Sequence, residues 1–251
     1  MENLKDKSII LATDLDGTFL GGDDASRAEL YGFIEENRDW LGLVFVTGRD
    51  IDFIETITEK DVPRPDGVIG DVGTTVMHGK PFKPVEKVES WIDEQWPGRD
   101  HAAKTLGEAP HLRLQDVFGG RRLSFFYDDE PKAFDSAKAL EDEGFDVLIS
   151  DGIYFDILPR GVQKGPTLKK VIEAFDLDGS KVLVAGDTLN DRSLFETGLD
   201  GVAVANSEPR LIEAIKHLTN VHFSKEDGAA GVFDALKRKM QTIPELEALN
   251  V

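Results

Sequence analysis

The sequence predicts an α/β protein, a doubly wound parallel sheet carrying one inserted α+β unit. Three observations predict it. First, five short apolar runs lack in–out alternation: SIILAT (8–13), GLVFVT (42–47), GVIG (67–70), KVLVAG (181–186) and GVAVA (201–205). Parallel strands buried on both faces read this way. Second, helical patterns separate these runs, and strand–helix alternation marks a doubly wound domain. Third, the order changes midway to strand, helix, strand, strand, which is an α+β arrangement.

The elements follow in chain order. Residues 24–38 place Leu30, Phe33 and Ile34 on one helical face, and residues 50–60 do the same with Ile51, Ile54 and Ile57. In the middle, RRLSFFYDD (121–129) reads as a strand. EPKAFDSAKALEDEG (130–144) reads as a helix with Phe134, Ala137 and Leu140 inward. FDVLIS (145–150) and IYFDILP (153–159) form a strand pair about Asp151-Gly152, a hairpin signal. Residues 166–175 carry Leu168, Val171, Ile172 and Phe175 at helical spacing, with Pro166 in the first turn. Ser207 with Pro209 reads as a helix start before Leu211, Ile212 and Ile215. HGKPFKP (78–84) and PRGVQKG (159–165) are charged, proline-bearing hinges. The expected organisation is a main domain from residues 1–79 and 161–251, with an insert at 80–160.

Composition excludes several classes. The 251 residues carry a net charge of −19 and no cysteine. Disulfides and thiolate chemistry are therefore out. Nucleic acid and anionic membranes are not expected partners, because phosphate backbones attract basic patches. No run approaches the ~20 apolar residues of a membrane span. The polar opening, MENLKDKS, does not resemble a signal peptide, so a cytoplasmic location is expected. The acidity fits an ordinary soluble protein or one from a salt-tolerant cytoplasm, and composition does not choose.

The apolar run 8–13 ends in ATDLDGTFLGG (12–22), and burying lone carboxylates costs several kcal/mol unless they are paired. Three further polar clusters follow strand-like runs or a hinge: Thr47-Gly48-Arg49, Lys164-Gly165 and GDTLND (186–191). In open α/β sheets, ligands sit beyond the carboxyl ends of the strands, so all four should meet in one crevice. Crowded carboxylates need a counter-charge. Mg²⁺ favours oxygen ligands and binds together with phosphate oxygens. Asp14, Asp187 and Asp191 are the candidate side-chain ligands, and Asp16 could add its backbone carbonyl. No paired histidines or cysteines support zinc. The hydroxyl of Thr47, the open backbone of Gly48 and the charge of Lys164 suit a phosphate group. A nucleophilic carboxylate beside a carboxylic acid completes a phosphoryl-transfer device. Taken singly, each residue has a plain reading: an Asp-Gly turn, a strand-end threonine, a solvated lysine. Arg49 reads as a structural ion pair. In the insert, Arg121, Arg122 and Asp156 are candidate sugar contacts, although such charges are more often solvated or paired. Trp91 and Trp96 are of a type that stacks on sugar rings, but Trp91 reads as helix-face packing and Trp96-Pro97 as the end of that helix.

Together and in this order, the clusters resemble the haloacid dehalogenase superfamily of phosphatases, from Ile9 to about Leu236. The insert resembles that superfamily's C2 cap, subclass B. FDILPRGVQKGPTL (155–168) and VAVANSEPRLIEAI (202–215) resemble the sucrose-phosphate phosphatase family. TDLDGTFLGG (13–22), IGDVGTTV (69–76) and GDTLNDRSLF (186–195) resemble the phosphatase portions of glucosylglycerol-phosphate enzymes. The resemblance implies a HAD-like Rossmannoid core with a C2B-type cap. It implies that Asp14 is the nucleophile, forming an aspartyl-phosphate, and that Asp16 is the acid–base. Thr47, Gly48 and Lys164 would hold the phosphoryl group, with Asn190 orienting it. Asp187 and Asp191 would hold Mg²⁺ with Asp14 and Asp16.

The implied activity is a Mg²⁺-dependent phosphomonoesterase acting on a glycosyl phosphate in osmolyte synthesis. Sucrose 6-phosphate and glucosylglycerol 3-phosphate lead; mannosyl-3-phosphoglycerate, trehalose 6-phosphate and simple hexose phosphates stay open. Association or fusion with a glycosyl-phosphate synthase is among the expectations. Two rivals remain. A phosphomannomutase-like phosphomutase keeps both aspartates. A non-catalytic sugar-phosphate-binding subunit of an osmolyte synthase has no need of the Asp14/Asp16 pair.

Overall fold

The computed structural model describes residues 1–117, 120–150 and 152–247. Its first strand, β1 (Ile9–Thr13), is buried along its whole length. Successive side chains enter opposite apolar layers: Ile9 and Leu11 face one, Ile10 and Ala12 the other. Two-sided burial is why this run is continuously apolar.

The chain continues through α1 (Asp24–Glu36), β2 (Leu41–Val46), α2 (Ile51–Thr58), β3 (Gly67–Gly70), β4 (Thr75–His78) and β5 (Lys83–Pro84). Next come α3 (Glu86–Gln95), α4 (Arg99–Leu106), β6 (Leu112–Leu114), β7 (Leu123–Tyr127), α5 (Glu130–Asp142), β8 (Phe145–Ser150) and β9 (Tyr154–Pro159). The last part holds α6 (Lys164–Ala174), β10 (Val182–Gly186), α7 (Arg192–Phe195), β11 (Asp200–Ala203), α8 (Pro209–Ile215), β12 (Val221–Phe223), α9 (Gly228–Met240) and α10 (Pro244–Glu247).

Eight strands form one sheet in the order β12-β11-β10-β1-β2-β3-β4-β5. The six from β12 to β3 are parallel; β4 and β5 are antiparallel additions at one edge. The chain leaves β1 towards β2 and returns on its other side as β10. The carboxyl end of β1 therefore lies where the strand order reverses, the position at which such sheets bind ligands.

A second, antiparallel sheet has the order β6-β7-β9-β8. One face packs on α4 and α5 through Ala102, Ala133, Ala137, Leu140, Phe145 and Phe155. Trp96 packs against this cluster edge-on to Phe145, and Trp91 packs against the first sheet's layer, so both are packing residues.

Three expectations need correction. Phe134 faces solvent at 55% exposure, and Ala133 takes the inward place. Ala133, Ala137 and Leu140 follow the i, i+4, i+7 stripe, and Phe134 lies one step around the helix. Residue 208, not Ser207, precedes α8, and the Ser207 hydroxyl donates to the Val204 carbonyl instead. The stretch 80–95 sits with the first sheet rather than with the insert. Lys83–Pro84 pairs with β4, and Val85, Val88 and Ile92 join the first sheet's apolar layer. The spacing of Val88 and Ile92 is a helix stripe that the surrounding charges hide. The expected hairpin is present: β8 pairs antiparallel with β9, and Gly152 has the positive φ (67°) a tight turn uses; Asp151 lies outside the described residues. So do residues 248–251 of the terminal PELEALNV.

No helix among the described residues is long and apolar enough to cross a membrane.

Burial ranks two phenylalanines. Phe45 is fully buried in β2, with its ring 5.1 Å from that of Phe19. Phe45→Ala is expected to cost about 3–5 kcal/mol in urea unfolding. Phe134→Ala is expected to stay within about 0.5 kcal/mol.

Candidate active site

The site is built where β1 ends. The Asp14 amide still donates to the Ala185 carbonyl of β10, which fixes its backbone against the neighbouring strand. The chain then turns tightly through Leu15–Phe19, with Gly17 at φ 78°. A Cβ at Gly17 would lie 2.1 Å from the Asp187 carboxylate, so this turn admits glycine alone. Thr18, buried behind it, donates its hydroxyl to Asp187 Oδ1 at 2.7 Å.

Lys164 is the hub. It is fully buried, and its ammonium donates to Asp14 Oδ1, Asn190 Oδ1 and Asp191 Oδ1, each at 2.6 Å. All three ammonium protons are thus placed. The helix α6 that carries it packs closely: a Cβ at Gly165 would sit 1.9 Å from the Ser193 carbonyl. Asp191 uses its other oxygen to accept from the amides of Asp187 and Thr188, at 3.0 and 3.1 Å.

Burial sets the charge balance. Asp14 is pushed well above the usual carboxylate range, first by burial and then by Asp191 and Asp187, with Lys164 opposing. Burial also disfavours the Lys164 charge, but Asp14 and Asp191 outweigh it and raise its pKa. Asp14, Asp187 and Asp191 each offer an oxygen within 4.8 Å of the others, and all three are buried. One lysine leaves two negative charges uncompensated when all three ionise. A divalent cation bound by oxygen ligands fits that donor set.

Beside this cluster opens a crevice of about 520 Å³ between the two sheets. Asp14, Asp16, Gly48, Arg49 and Asn190 line it from the first sheet's side. Thr47 does not: it is fully buried, and its hydroxyl accepts from the Arg49 amide at 3.1 Å. Asp16 is half-exposed, and both its oxygens accept from Arg49, each at 2.8 Å. Arg49 is the ion pair that the sequence suggested, and its partner leaves only the Asp16 backbone carbonyl for a cation.

From the second sheet, Arg122 and Asp156 line the crevice, but Arg121 does not. Arg121 turns to Glu89 and Asp93 of α3, which corrects its expected sugar contact. The sequence placed Arg121 and Arg122 alike in one strand, but β7 begins only at Leu123 and Arg121 lies in the turn before it. The Arg122 guanidinium donates to the Gly48 carbonyl at 3.1 Å, linking the two sheets. Asp156 accepts from the Ser124 hydroxyl, and burial pushes its pKa up.

Sequence reasoning missed Asp71. It follows β3 with φ 50°, is 4% exposed and lines the crevice. Its Oδ2 accepts from Thr75 at 3.0 Å; its Oδ1 has no hydrogen-bond partner. Burial is the main cause pushing its pKa up to about 6, with Arg122 opposing. The available signal was the IGDVG turn after a strand, the same kind of sign as DxDGT. Thr18 and Thr188 were also missed; Thr188 forms a capping box with Asp191.

The model of the family described as sucrose-6F-phosphate phosphohydrolase matches residues 7–238. A glucosylglycerol-phosphate synthase of Pseudomonas anguilliseptica is 38% identical over 229 residues, covering 90% of this chain and 30% of that protein. Sucrose-phosphatase 2 of Nicotiana tabacum is 32% identical, with 91% of this chain and 58% of that protein covered. This chain thus spans less than two thirds of either relative. Mannosylfructose-phosphate phosphatase of Agrobacterium fabrum is 32% identical over 91% of this chain and 95% of its own. A sucrose-phosphatase structure from Synechocystis, in complex with sucrose and phosphate, superposes with a TM-score of 0.85 at 23% identity. It covers 93% of this chain and 98% of its own, and confirms the fold.

The charge balance makes two outcomes testable. Mg²⁺ is expected to raise the melting temperature, by about 2.7 kcal/mol of stabilisation at a hundredfold excess over its dissociation constant. Asp187→Ala is expected to abolish that shift in a thermal titration. Asp71 holds its proton in the native state up to about pH 6 but loses it near 4 when unfolded. Stability therefore falls as pH rises through that window, by about 1–3 kcal/mol. Asp71→Asn removes this loss, so urea unfolding should show it more stable than wild type at pH 7 and equal to it near pH 4.

Proposed function

The chain belongs to the sucrose-6F-phosphate phosphohydrolase family, within the haloacid dehalogenase superfamily, and from that premise we propose that it hydrolyses a glycosyl phosphate. The observation that carries the reading is the convergence of Asp14 and Asp191 on Lys164, with Asp187 beside them, at the end of β1 and against a crevice shared with a second sheet.

The chemistry is assigned to this chain's residues. An Asp14 carboxylate oxygen attacks phosphorus in line. The bond from phosphorus to the sugar oxygen breaks, its electron pair stays on that oxygen, and Asp16 supplies the proton. Asp16 then takes a proton from water, whose oxygen attacks phosphorus and frees Asp14 and inorganic phosphate. Both Asp16 oxygens are engaged by Arg49, so Asp16 must leave that pair to act. A phosphoryl group entering the crevice competes for the guanidinium and favours the release. Lys164, the Gly48 backbone and Asn190 would hold the phosphoryl oxygens. Mg²⁺, held by Asp14, Asp187, Asp191 and the Asp16 carbonyl, would neutralise the charge that develops on those oxygens.

The second sheet with α4 and α5, residues 96–160, serves as the cap. Its closure over the crevice would keep bulk water from the first step. The crevice also bears on the leaving group. Beyond the Asp14–Lys164 cluster it presents Asp50, Asp71, Asp116 and Asp156 against two arginines, of which Arg49 pairs with Asp16 and Arg122 donates to the Gly48 carbonyl. A leaving group with its own negative charge would be repelled, so a neutral polyol fits. This favours sucrose 6-phosphate and glucosylglycerol 3-phosphate over mannosyl-3-phosphoglycerate. Relatives named for sucrose, mannosylfructose and glucosylglycerol support the same class and a role in osmolyte synthesis. The match to part of a glucosylglycerol-phosphate synthase supports association or fusion with such a synthase.

Phosphate release with Mg²⁺ across these substrates tests the proposal. A neutral glycosyl phosphate should be preferred at least tenfold in kcat/KM over mannosyl-3-phosphoglycerate. Asp14→Asn should lose about 10³-fold or more in kcat. A phosphate-shifted isomer instead of free phosphate would indicate a mutase, and tight binding without release a non-catalytic subunit.

A further inference from the structure

Two buried polar atoms on residues that line the crevice make no hydrogen bond. They are Asp71 Oδ1 and Arg122 Nε, and both residues are more than nine-tenths buried. Buried polar groups are nearly always satisfied, and each exception asks for an explanation. The other unpartnered buried atoms among the described residues, on Arg64 and His111, lie away from this crevice.

We propose that Asp71 and Arg122 form a hydroxyl-reading pair that selects the polyol leaving group; this rests on the glycosyl-phosphate reading above. Asp71 comes from the first sheet and Arg122 from the cap, so the pair reads the sugar from both sides.

The geometry holds the pair apart. Arg122 is tied by its hydrogen bond to the Gly48 carbonyl. Asp71 is tied by Thr75 and by its own amide, which donates to the Arg49 carbonyl at 3.1 Å. The nearest approach of Arg122 to Asp71 Oδ1 is 3.9 Å, and Arg122 Nε stands 3.9 Å from Asp156 Oδ1. Both exceed hydrogen-bond length. The loop is held against local preference, because Asp71 (φ 50°) and Val72 (φ 60°) are consecutive left-handed residues. For a β-branched valine that conformation is an outlier. Such strain concentrates where a site needs a group in one place.

The ligand class follows from the donor inventory. An ionised Asp71 only accepts, and Arg122 only donates. A hydroxyl does both at once: it donates to Asp71 Oδ1 and accepts from Arg122. An anion would meet Asp71, and a cation would meet Arg122. Arg122 also holds the carbonyl of Gly48, so the leaving group is read by the residue that touches the phosphate loop. Asp71 and Arg122 act here in binding, as specificity residues.

Monodeoxy analogues of sucrose 6-phosphate test this on the unmodified enzyme, with phenyl phosphate as the hydroxyl-free comparison. At least one analogue should lose about tenfold to a hundredfold in kcat/KM, because its absence leaves buried polar groups unpaired. In Asp71→Asn that penalty should shrink to within about threefold. The KM for sucrose 6-phosphate should rise about tenfold, more than kcat falls. Asp71→Gly, which tolerates the positive φ, should move selectivity the same way. If wild type cleaves every analogue within about threefold of the parent, the inference is wrong. It is also wrong if Asp71→Asn lowers kcat/KM equally for sucrose 6-phosphate and phenyl phosphate. Wild type that releases no phosphate from sucrose 6-phosphate or glucosylglycerol 3-phosphate overturns the underlying reading and this inference with it.

Discussion

The buried ammonium of Lys164 is the interaction on which the rest of the site depends. Three carboxylates from two strand ends, Asp14, Asp187 and Asp191, sit close together with almost no water. Without a cation among them, burial and mutual repulsion would drive them to protonate or move apart. Lys164 prevents this from a third element, the first turn of α6, which starts as the chain returns from the second sheet. Removing one partner of such a buried pair costs about 3–5 kcal/mol. The lysine therefore joins three distant stretches of chain, and the insertion point of the second sheet is tied to the chemistry by one side chain.

The same arrangement explains why the crevice lies where it does. Parallel strands leave their carboxyl ends open at the reversal next to β1, and the second sheet closes over that opening. Arg122, at the start of β7, reaches the Gly48 carbonyl, so the two sheets meet at the loop after β2. Burial raises the pKa of Asp14, Asp71 and Asp156 alike. The fold thus holds destabilised carboxylates on both walls of one cavity, which is how functional sites commonly differ from optimised cores.

Much of this was legible in the sequence because it depends on local pattern. Unalternated apolar runs reported two-sided burial, and the four polar clusters reported strand ends at one edge. What failed depends on tertiary direction. Phe134 and Ala133 are neighbours in sequence, and only the position of the second sheet decides which points inward. Arg121 and Arg122 differ for the same reason, one bound to Glu89 and the other in the crevice. The helix Glu86–Gln95 was hidden because a charged, proline-bearing stretch precedes it and its apolar stripe is narrow. Thr47 was read as facing a ligand, yet its hydroxyl accepts from the loop's own backbone, a contact no residue spacing announces.

A catalytic centre of this kind treats all phosphate esters alike, since its groups address phosphorus and the bridging oxygen. Fold and motifs therefore cannot choose a substrate. Choice has to come from groups that the phosphate does not touch, and those groups must be costly to leave unpaired if they are to discriminate. Asp71 meets both conditions. It lies off the carboxylate cluster, and one of its oxygens is buried without a partner. Its placement on the first sheet also matters. Arg122 is carried by the second sheet, whereas Asp71 is held on the first by the turn after β3, through Thr75 and its own amide. A group placed between them is met from two separate pieces of the chain, so the specificity assigned to this pair depends on the packing of the two sheets rather than on the catalytic motifs.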